Sequence, residues 1–475
     1  MFSFLALKLK SEFTERVLPF LINFFRQNTL LLSATSFYNK SGTLIKLDNI
    51  DQKKVNKLTG SVINSLFSYT EPLWKNTFLV LNYRLTLNQN DAERNTYNKN
   101  SGGKYENLND TLSNHFIFNT TSHLGSFNIR YNVKKFNFAI GTGLGTARYN
   151  MNDIRKNTNR EEVFTNFVPA IAFNFTPKQQ RQITFNYTGR TQNPTLQQIQ
   201  PIIDNIDPLN ITIGNPTLKQ AFSHNFNFRA SDYKVLKNRN ISISANYSTT
   251  EDAISNASRV DSLGRRINQA INVSGNYNTS LNFNYGFNII SSLNVGFSIG
   301  PSKSRYASEI NGVNNLTHNT DMNYRINANF WSDKWISFYF GIGAANNSST
   351  SSIRPEVVTS YWSYSTYSNF QFKFKKQKLY IDLNLNANVY QKTEQFANQL
   401  DVYIFNPSIR KVISKDDNWE IKLNVNDLFN QNIGINRNIS SNFISETTNQ
   451  TIQRYFLFSV IYNFSKNGKP ANMGF

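Results

Sequence analysis

The stretch "LYIDLNLNANVY", Leu379 to Tyr390, alternates through all twelve of its positions. Leu379, Ile381, Leu383, Leu385, Ala387 and Val389 share one parity; Tyr380, Asp382, Asn384, Asn386, Asn388 and Tyr390 share the other. Successive side chains of a β-strand point to opposite faces, so this period of two makes one face apolar and the other mostly amide. Two different environments meet across this strand.

The same pattern fills most of the chain. In "NTSLNFNYGFNI" Leu281, Phe283, Tyr285, Phe287 and Ile289 oppose Asn282, Asn284, Gly286 and Asn288, and the parity runs back through Ile271, Val273 and Tyr277 as one very long strand or a tight hairpin. "DMNYRINANF" sets Met322, Tyr324, Ile326, Ala328 and Phe330 against Asn323, Arg325, Asn327 and Asn329. "NWEIKLNVN" sets Trp419, Ile421, Leu423 and Val425 against Glu420, Lys422, Asn424 and Asn426. Roughly 16 to 20 such segments follow one another, commonly about 10–15 residues long, against five or six in ordinary soluble sheets. Short links such as "SDKW" around Asp333 alternate with long polar stretches such as "NQNDAERNTYNKNSGGKYENLND". That asymmetry predicts short turns at one rim and long loops at the other.

Composition agrees. Among 475 residues there are 39 Phe and 23 Tyr, few Pro and Gly, and roughly 15% Asn, an alphabet of strands and turns. Mean hydropathy is negative and no apolar run reaches the length of about 18 residues that a membrane helix needs. Strands that cross a bilayer need only every second residue apolar. A closed sheet leaves no edge, so every backbone N–H and C=O finds a partner even in hydrocarbon. With 16 or more strands the interior is too wide to fill with side chains, and asparagine suits a wetted or plugged lumen.

Other chemistry finds little support. The formal charge of +20 invites a polyanion-binding reading, but Lys and Arg are scattered along turns and polar strand faces, which fits a pore lining or anionic lipid headgroups better than nucleic acid. There is no Cys, and His115, His123, His224 and His318 have no metal-ligand spacing, so neither metal nor cofactor is expected. The paired carboxylates Asp416-Asp417 and Glu161-Glu162 lie in turn-like sequence. "GTGLG", residues 141–145, departs from the dinucleotide fingerprint, and its glycines share one parity; curvature or close approach to the wall explains them. An enzyme is not expected. The opening "MFSFLALKLK" does not resemble a secretory signal, and "SEFTERVLPFLINFF" reads as a short helix or as remnant strands.

Two motifs go beyond periodicity. The first runs from Phe185 to Phe228 and contains Arg190, Pro194, Pro201, Asp207-Pro208 and "GNPTL" (Gly214, Asn215, Pro216, Thr217 and Leu218). The second runs from Asn424 to Phe464: Asp427, Leu428, Phe429, Asn430, Gln431 and Asn432, then Arg454-Tyr455, then Tyr462 and Phe464. Together with "FSYTEPLW" near Phe67 they resemble the outer-membrane β-barrel family of TonB-dependent-receptor-like proteins. In one respect the first motif departs from it: Lys219-Gln220 stands where the family usually has Pro-Glu.

The resemblance implies an all-β, large antiparallel transmembrane β-barrel of about 22 strands in the family. It implies a place in the Gram-negative outer membrane, with membrane lipid, a ligand and a plug or TonB system as partners and no nucleic acid. The expected division is an N-terminal segment 1–57, a barrel 58–466 and a tail 467–475. The expected function is uptake or binding of a ligand at the cell surface, with the 191–215 loop as its functional surface. Asn323, Arg325, Asn384, Asn386, Lys422 and Asn424 are the expected lumen lining. The alternatives are a plugless structural or adhesive barrel, a truncated receptor remnant, and a soluble basic protein that binds polyanions.

Overall fold

The computed structural model describes residues 12–464 apart from 18–20, 39–40, 200–202, 208–209, 235–237, 263–264, 393–399, 433, 440–443 and 450. Its strands are β1 (Glu12–Val17), β2 (Leu21–Tyr38), β3 (Leu44–Trp74), β4 (Thr77–Lys99), β5 (Tyr105–Leu108), β6 (Asn114–Val133), β7 (Phe136–Asp153), β8 (Thr158–Phe167) and β9 (Ala170–Lys178). Then come β10 (Arg181–Gln192), the one-turn helix α1 (Leu196–Ile199), β11 (Ile203–Asp207), β12 (Asn210–Ile213), β13 (Ala221–Lys234), β14 (Arg239–Glu251), β15 (Ala253–Val260), β16 (Arg266–Val273) and β17 (Asn276–Ile290). The last third holds β18 (Leu293–Ile310), β19 (Val313–Phe330), β20 (Ile336–Ser351), β21 (Arg354–Phe374), β22 (Leu379–Tyr390), β23 (Leu400–Val412) and β24 (Trp419–Asn426). It closes with β25 (Gly434–Ile439), β26 (Ile444–Asn449) and β27 (Tyr455–Tyr462).

The wall is a single antiparallel ladder. β1 and β2 both pair with β3 and make one row; β8 and β9 both pair with β7 and make another, interrupted at Val168-Pro169. Counting each of these as one, the ladder has eighteen rows among the described residues, from β1/β2 through β3, β4 and β6 to β24 and β27. β5, β11, β12, β15 and β16 sit in the connections, and β25–β26 form a separate hairpin. Of the stretch read as a helix or remnant strands, residues 12–17 and 21–25 are strand, because β3 offers both a partner. β3 runs unbroken through residue 58.

Register converts the alternation into continuous belts. Leu79, Ile129, Ile140, Ile171, Tyr187, Phe226 and Tyr247 are successive cross-strand neighbours. Ile243, Phe283, Ile299, Tyr324, Ala344, Tyr364 and Val389 form a second line, and a third starts on the same parity of β22 with Ile381 and runs through Ile409, Leu423 and Phe458. On the opposite parity Asn186, Asn227, Asn246, Ser280, Ser302, Asp321 and Asn347 run side by side. A one-residue slip anywhere would carry a whole strand's apolar set to the wrong face, so the faces fix the register.

The apolar belt is not a core. Fourteen apolar residues are buried among the described ones, six of them alanines, while Leu144 and Ile326 are more than half exposed. A soluble protein rarely shows a contiguous apolar patch beyond a few hundred Å². Here the belt spans sixteen rows, and lipid is the medium that covers it.

Turns show a second use of asparagine. Asn76, Asn157, Asn238, Asn311 and Asn430 are five of the nine described non-glycine residues with positive φ, a conformation Asn tolerates better than most. Asn311-Gly312 closes β18 on β19 in two residues, both left-handed. The connections at the Lys75-Asn76 end are short, as expected. At the other end lie the long crossings, together with tight turns at β7–β8, β18–β19 and β20–β21.

Two polar stretches differ from their sequence reading. Much of "NQNDAERNTYNKN" is strand within β4, since beyond the membrane both faces meet water and alternation has no cause. The parity running back from β17 stops at Gly275, whose φ of +90° turns β16 out of the wall to pair with β15.

Candidate functional site

The crossing from β10 to β13 carries the first motif, and it folds onto the polar face of the sheet. Tyr149 and Phe164 are on that face: Tyr149 shares parity with Gly141, Gly143 and Gly145 on β7, and Phe164 pairs with Ala147. Ile199 of α1, Leu218 of the motif and Ala270 of β16 form a buried cluster with Tyr149 and Ile254 packed against it. Tyr149 is itself held edge-on by Phe118 and Phe164, with ring centroids 5.3 and 4.9 Å away.

Hydrogen bonds lock the segment down. Asn215 Nδ2 donates to the Ala270 carbonyl at 2.8 Å, and its Oδ1 accepts from Thr217 N at 3.0 Å and Thr217 Oγ1 at 2.7 Å. Gln269 Nε2 donates to the Gly214 carbonyl, and Asn215 N to that of Gln198 at 2.6 Å. From the wall, Arg160 donates to the Pro216 carbonyl while Glu162 Oε1 holds its guanidinium at 2.7 Å. Pro194 is fully buried, and Gly214 and Leu218 are buried.

The departure from the family motif has a physical role. Gln220 Nε2 donates to Asn193 Oδ1 at 2.8 Å and to the Thr165 carbonyl at 3.1 Å, contacts a glutamate could not donate. Lys219 N donates to Asn272 Oδ1 at 2.8 Å. Arg190 stands apart from this packing, exposed on the polar face of β10 opposite Ser223. The backbone of Asp207 ends β11 and pairs with Asn210; Pro201 and Pro208 lie outside the described residues. The described part of the crossing is therefore a packed layer. Tyr149, Arg160 and Glu162 were missed, although "RYNMND" puts Tyr149 and Met151 on the polar parity, where an apolar residue signals a partner.

The six lining candidates fall on one face. Asn323 and Arg325 lie opposite Gly300 and Ser298, and Asn384 and Asn386 opposite Asn369 and Tyr367. Lys422 and Asn424 lie opposite Arg410 and Ser408. Side chains bridge across the strands: Asn369 Nδ2 donates to Asn384 Oδ1, Gln371 Nε2 to Asp382 Oδ1 at 2.8 Å, and Ser408 Oγ to Asp382 Oδ2 at 3.3 Å. Near the short-turn end this face holds a cavity of about 460 Å³ lined by Tyr233, Trp331 and the amides of Asn240, Asn288, Asn294 and Asn329.

The second motif is a corner. Asp427 and Asn430 have φ of +52° and +57°, and the buried Asp427 carboxylate accepts from Gln431 N at 2.9 Å and Asn432 N at 2.8 Å. Gln431 Oε1 accepts from Tyr403 N, Leu428 N donates to the Phe405 carbonyl, and Phe429 stacks on Phe405. Arg454 donates to the Leu428 carbonyl at 3.1 Å, Asn430 Oδ1 accepts from Arg454 N, and Asn432 Nδ2 donates to the Ile452 carbonyl. The motif thus joins β23 and β24 to β27, where Tyr455 faces Asn426, Tyr462 faces Trp419, and Phe464 follows with its ring stacked on Tyr462.

Histidines serve as local partners: His115 Nε2 is 2.9 Å from Asp91, and His123 and His224 contact the hydroxyls of Tyr83 and Tyr187. No three His, Cys, Asp or Glu side chains converge among the described residues.

No curated protein matches the sequence. Among solved structures the chain is similar to the copper transporter OprC, at 8% identity and a TM-score of 0.44 over 95% of this chain and 77% of that one. It is also similar to the FrpB iron transporter from Neisseria meningitidis, at 10% identity and a TM-score of 0.43 over 95% and 79%. The outer membrane transporter YddB from Escherichia coli gives 8% identity and a TM-score of 0.43 over 95% and 74%. The sequence itself matches the outer membrane protein beta-barrel family over residues 10–331 and 310–462, nearly its whole length. With its belt of lipid-facing strands, the chain belongs to that family and to the Gram-negative outer membrane.

Proposed function

We propose that this barrel takes up or binds a ligand at the bacterial surface and that the segment 193–220 covers its outer mouth. The observation that carries the reading is the seating of Leu218 and Ile199 against Tyr149, on the face that bears the amides and not on the face that meets lipid. Asn323, Arg325, Asn384, Asn386, Lys422 and Asn424 line the passage below, and Arg190 stands at its entrance. A plug domain or a TonB system is the partner that the resemblance of the two sequence motifs implies. The soluble polyanion-binding alternative falls with the family assignment.

Conductance in planar bilayers tests it. Leu218→Asn places an amide in the apolar seat and frees the segment, so a stepwise, severalfold rise in conductance over the unmodified chain is expected. Heat-modifiable migration in a gel shows that the variant is folded. Equal conductance of two folded proteins would mean that the segment is no barrier.

A further inference from the structure

The short-turn rim carries cations that the protein itself does not neutralise. At the long-loop rim several cations have acidic partners: Lys57–Glu93 at 2.8 Å, Lys99–Asp51 at 3.1 Å, Arg160–Glu162 at 2.7 Å, Arg265–Asp261 at 2.8 Å. At the short-turn rim Lys378 pairs with Asp417 and Arg181 with Asp232. Lys75, Lys134, Lys135, Lys334, Lys375 and Lys376 are exposed there, with no ion pair among the described residues.

Tryptophans mark the depth of these lysines. Trp74 and Trp335 are 68% and 63% exposed, and each is the chain neighbour of one of them, as Trp74-Lys75 and Lys334-Trp335. An indole settles at the boundary between hydrocarbon and headgroup, with its ring in the apolar zone and its N–H toward water. A lysine beside it extends its ammonium into the layer of phosphates while its stem stays among the acyl chains. Like charges held close around a rim repel each other, and an anionic surface relieves that repulsion.

We infer that this rim is a docking surface for anionic phospholipid headgroups in the periplasm-facing leaflet, with Lys75, Lys134, Lys135, Lys334, Lys375 and Lys376 as its phosphate contacts. The attraction is electrostatic, so it weakens as salt shortens the screening length.

The test uses the full chain folded into vesicles of phosphatidylglycerol and phosphatidylcholine in equal amounts. The lipid that co-purifies after extraction is measured by mass spectrometry. Enrichment of phosphatidylglycerol by about fivefold is expected, and its loss in high salt. Changing the six lysines to Gln should bring the ratio close to that of the vesicle, and changing Lys53, Lys54 and Lys57 of the far rim to Gln should leave it high. Folding is read separately from the heat-modifiable band, so loss of the barrel is not mistaken for loss of the preference. If the sixfold variant does not fold, the double variant K134Q/K135Q, confined to one exposed turn, carries the test with a smaller drop. No enrichment by the unmodified chain, or full enrichment by the folded lysine variants, would overturn the proposal.

Discussion

Single atoms decide how closely the rows of this wall approach. At Gly145 a Cβ would run into the backbone of His123 and Leu124 on the neighbouring strand, whereas at Gly125 the nearest atom, the Leu144 carbonyl oxygen, is 3.8 Å away. Gly145→Ala is expected to destabilise by about 1–3 kcal/mol, since backbone cannot step aside. Gly125→Ala should stay within about 0.5 kcal/mol. Denaturant unfolding in detergent micelles compares the two, and equal effects would remove the close approach as the reason for "GTGLG". The spacing of these glycines was visible in the sequence; the neighbour they admit was not, because it lies on another strand. Asp427 is a second such residue. Asp427→Ala takes the acceptor from two backbone N–H groups and leaves a side chain poorly suited to φ +52°, at an expected cost of about 1–3 kcal/mol. Asp427→Asn keeps one oxygen and the left-handed preference and should cost less in the same measurement.

At the scale of elements, β3 is the clearest case of a strand longer than a membrane is thick. Its 31 residues span roughly 100 Å, against a hydrocarbon layer of about 30 Å. The part from Asp51 to Lys57 stands in water, where the short strand β5 is tied to it. Tyr105 Oη donates to Asp51 Oδ1 at 2.5 Å and Lys99 Nζ to Oδ2 at 3.1 Å. These bonds, Tyr105's first and Lys99's second, hold the Asp51 carboxyl below its ordinary value of 3.8. The folded form favours the carboxylate, so the tie is present above 3.8 and is lost as pH falls through the lowered value. Pepsin cleavage between residues 100 and 108 should therefore stay slow down to 3.8 and quicken only below it, with Tyr105→Phe moving the onset upward. Cleavage already fast at 3.8 would dissolve the tie. Strands with one face in lipid were legible from alternation alone. The outer half of β4 was not, because a strand with water on both sides loses its period of two.

For the whole molecule, about eighteen rows fall within the range expected from counting alternating segments, and the two-faced wall follows from the same pattern. The seating of Ile199 and Leu218 was hidden, since they meet Tyr149 only once the chain has folded. The central claim is that one parity faces lipid and the other faces water. A chain with no cysteine allows it to be measured residue by residue, because every thiol is then one introduced on purpose. Single cysteines at Leu383, Asn384, Leu385 and Asn386, in protein folded in membranes, can be challenged with a membrane-impermeant maleimide. Leu383→Cys and Leu385→Cys should resist labelling and Asn384→Cys and Asn386→Cys should accept it; uniform labelling of all four would contradict a strand with lipid on one side and water on the other.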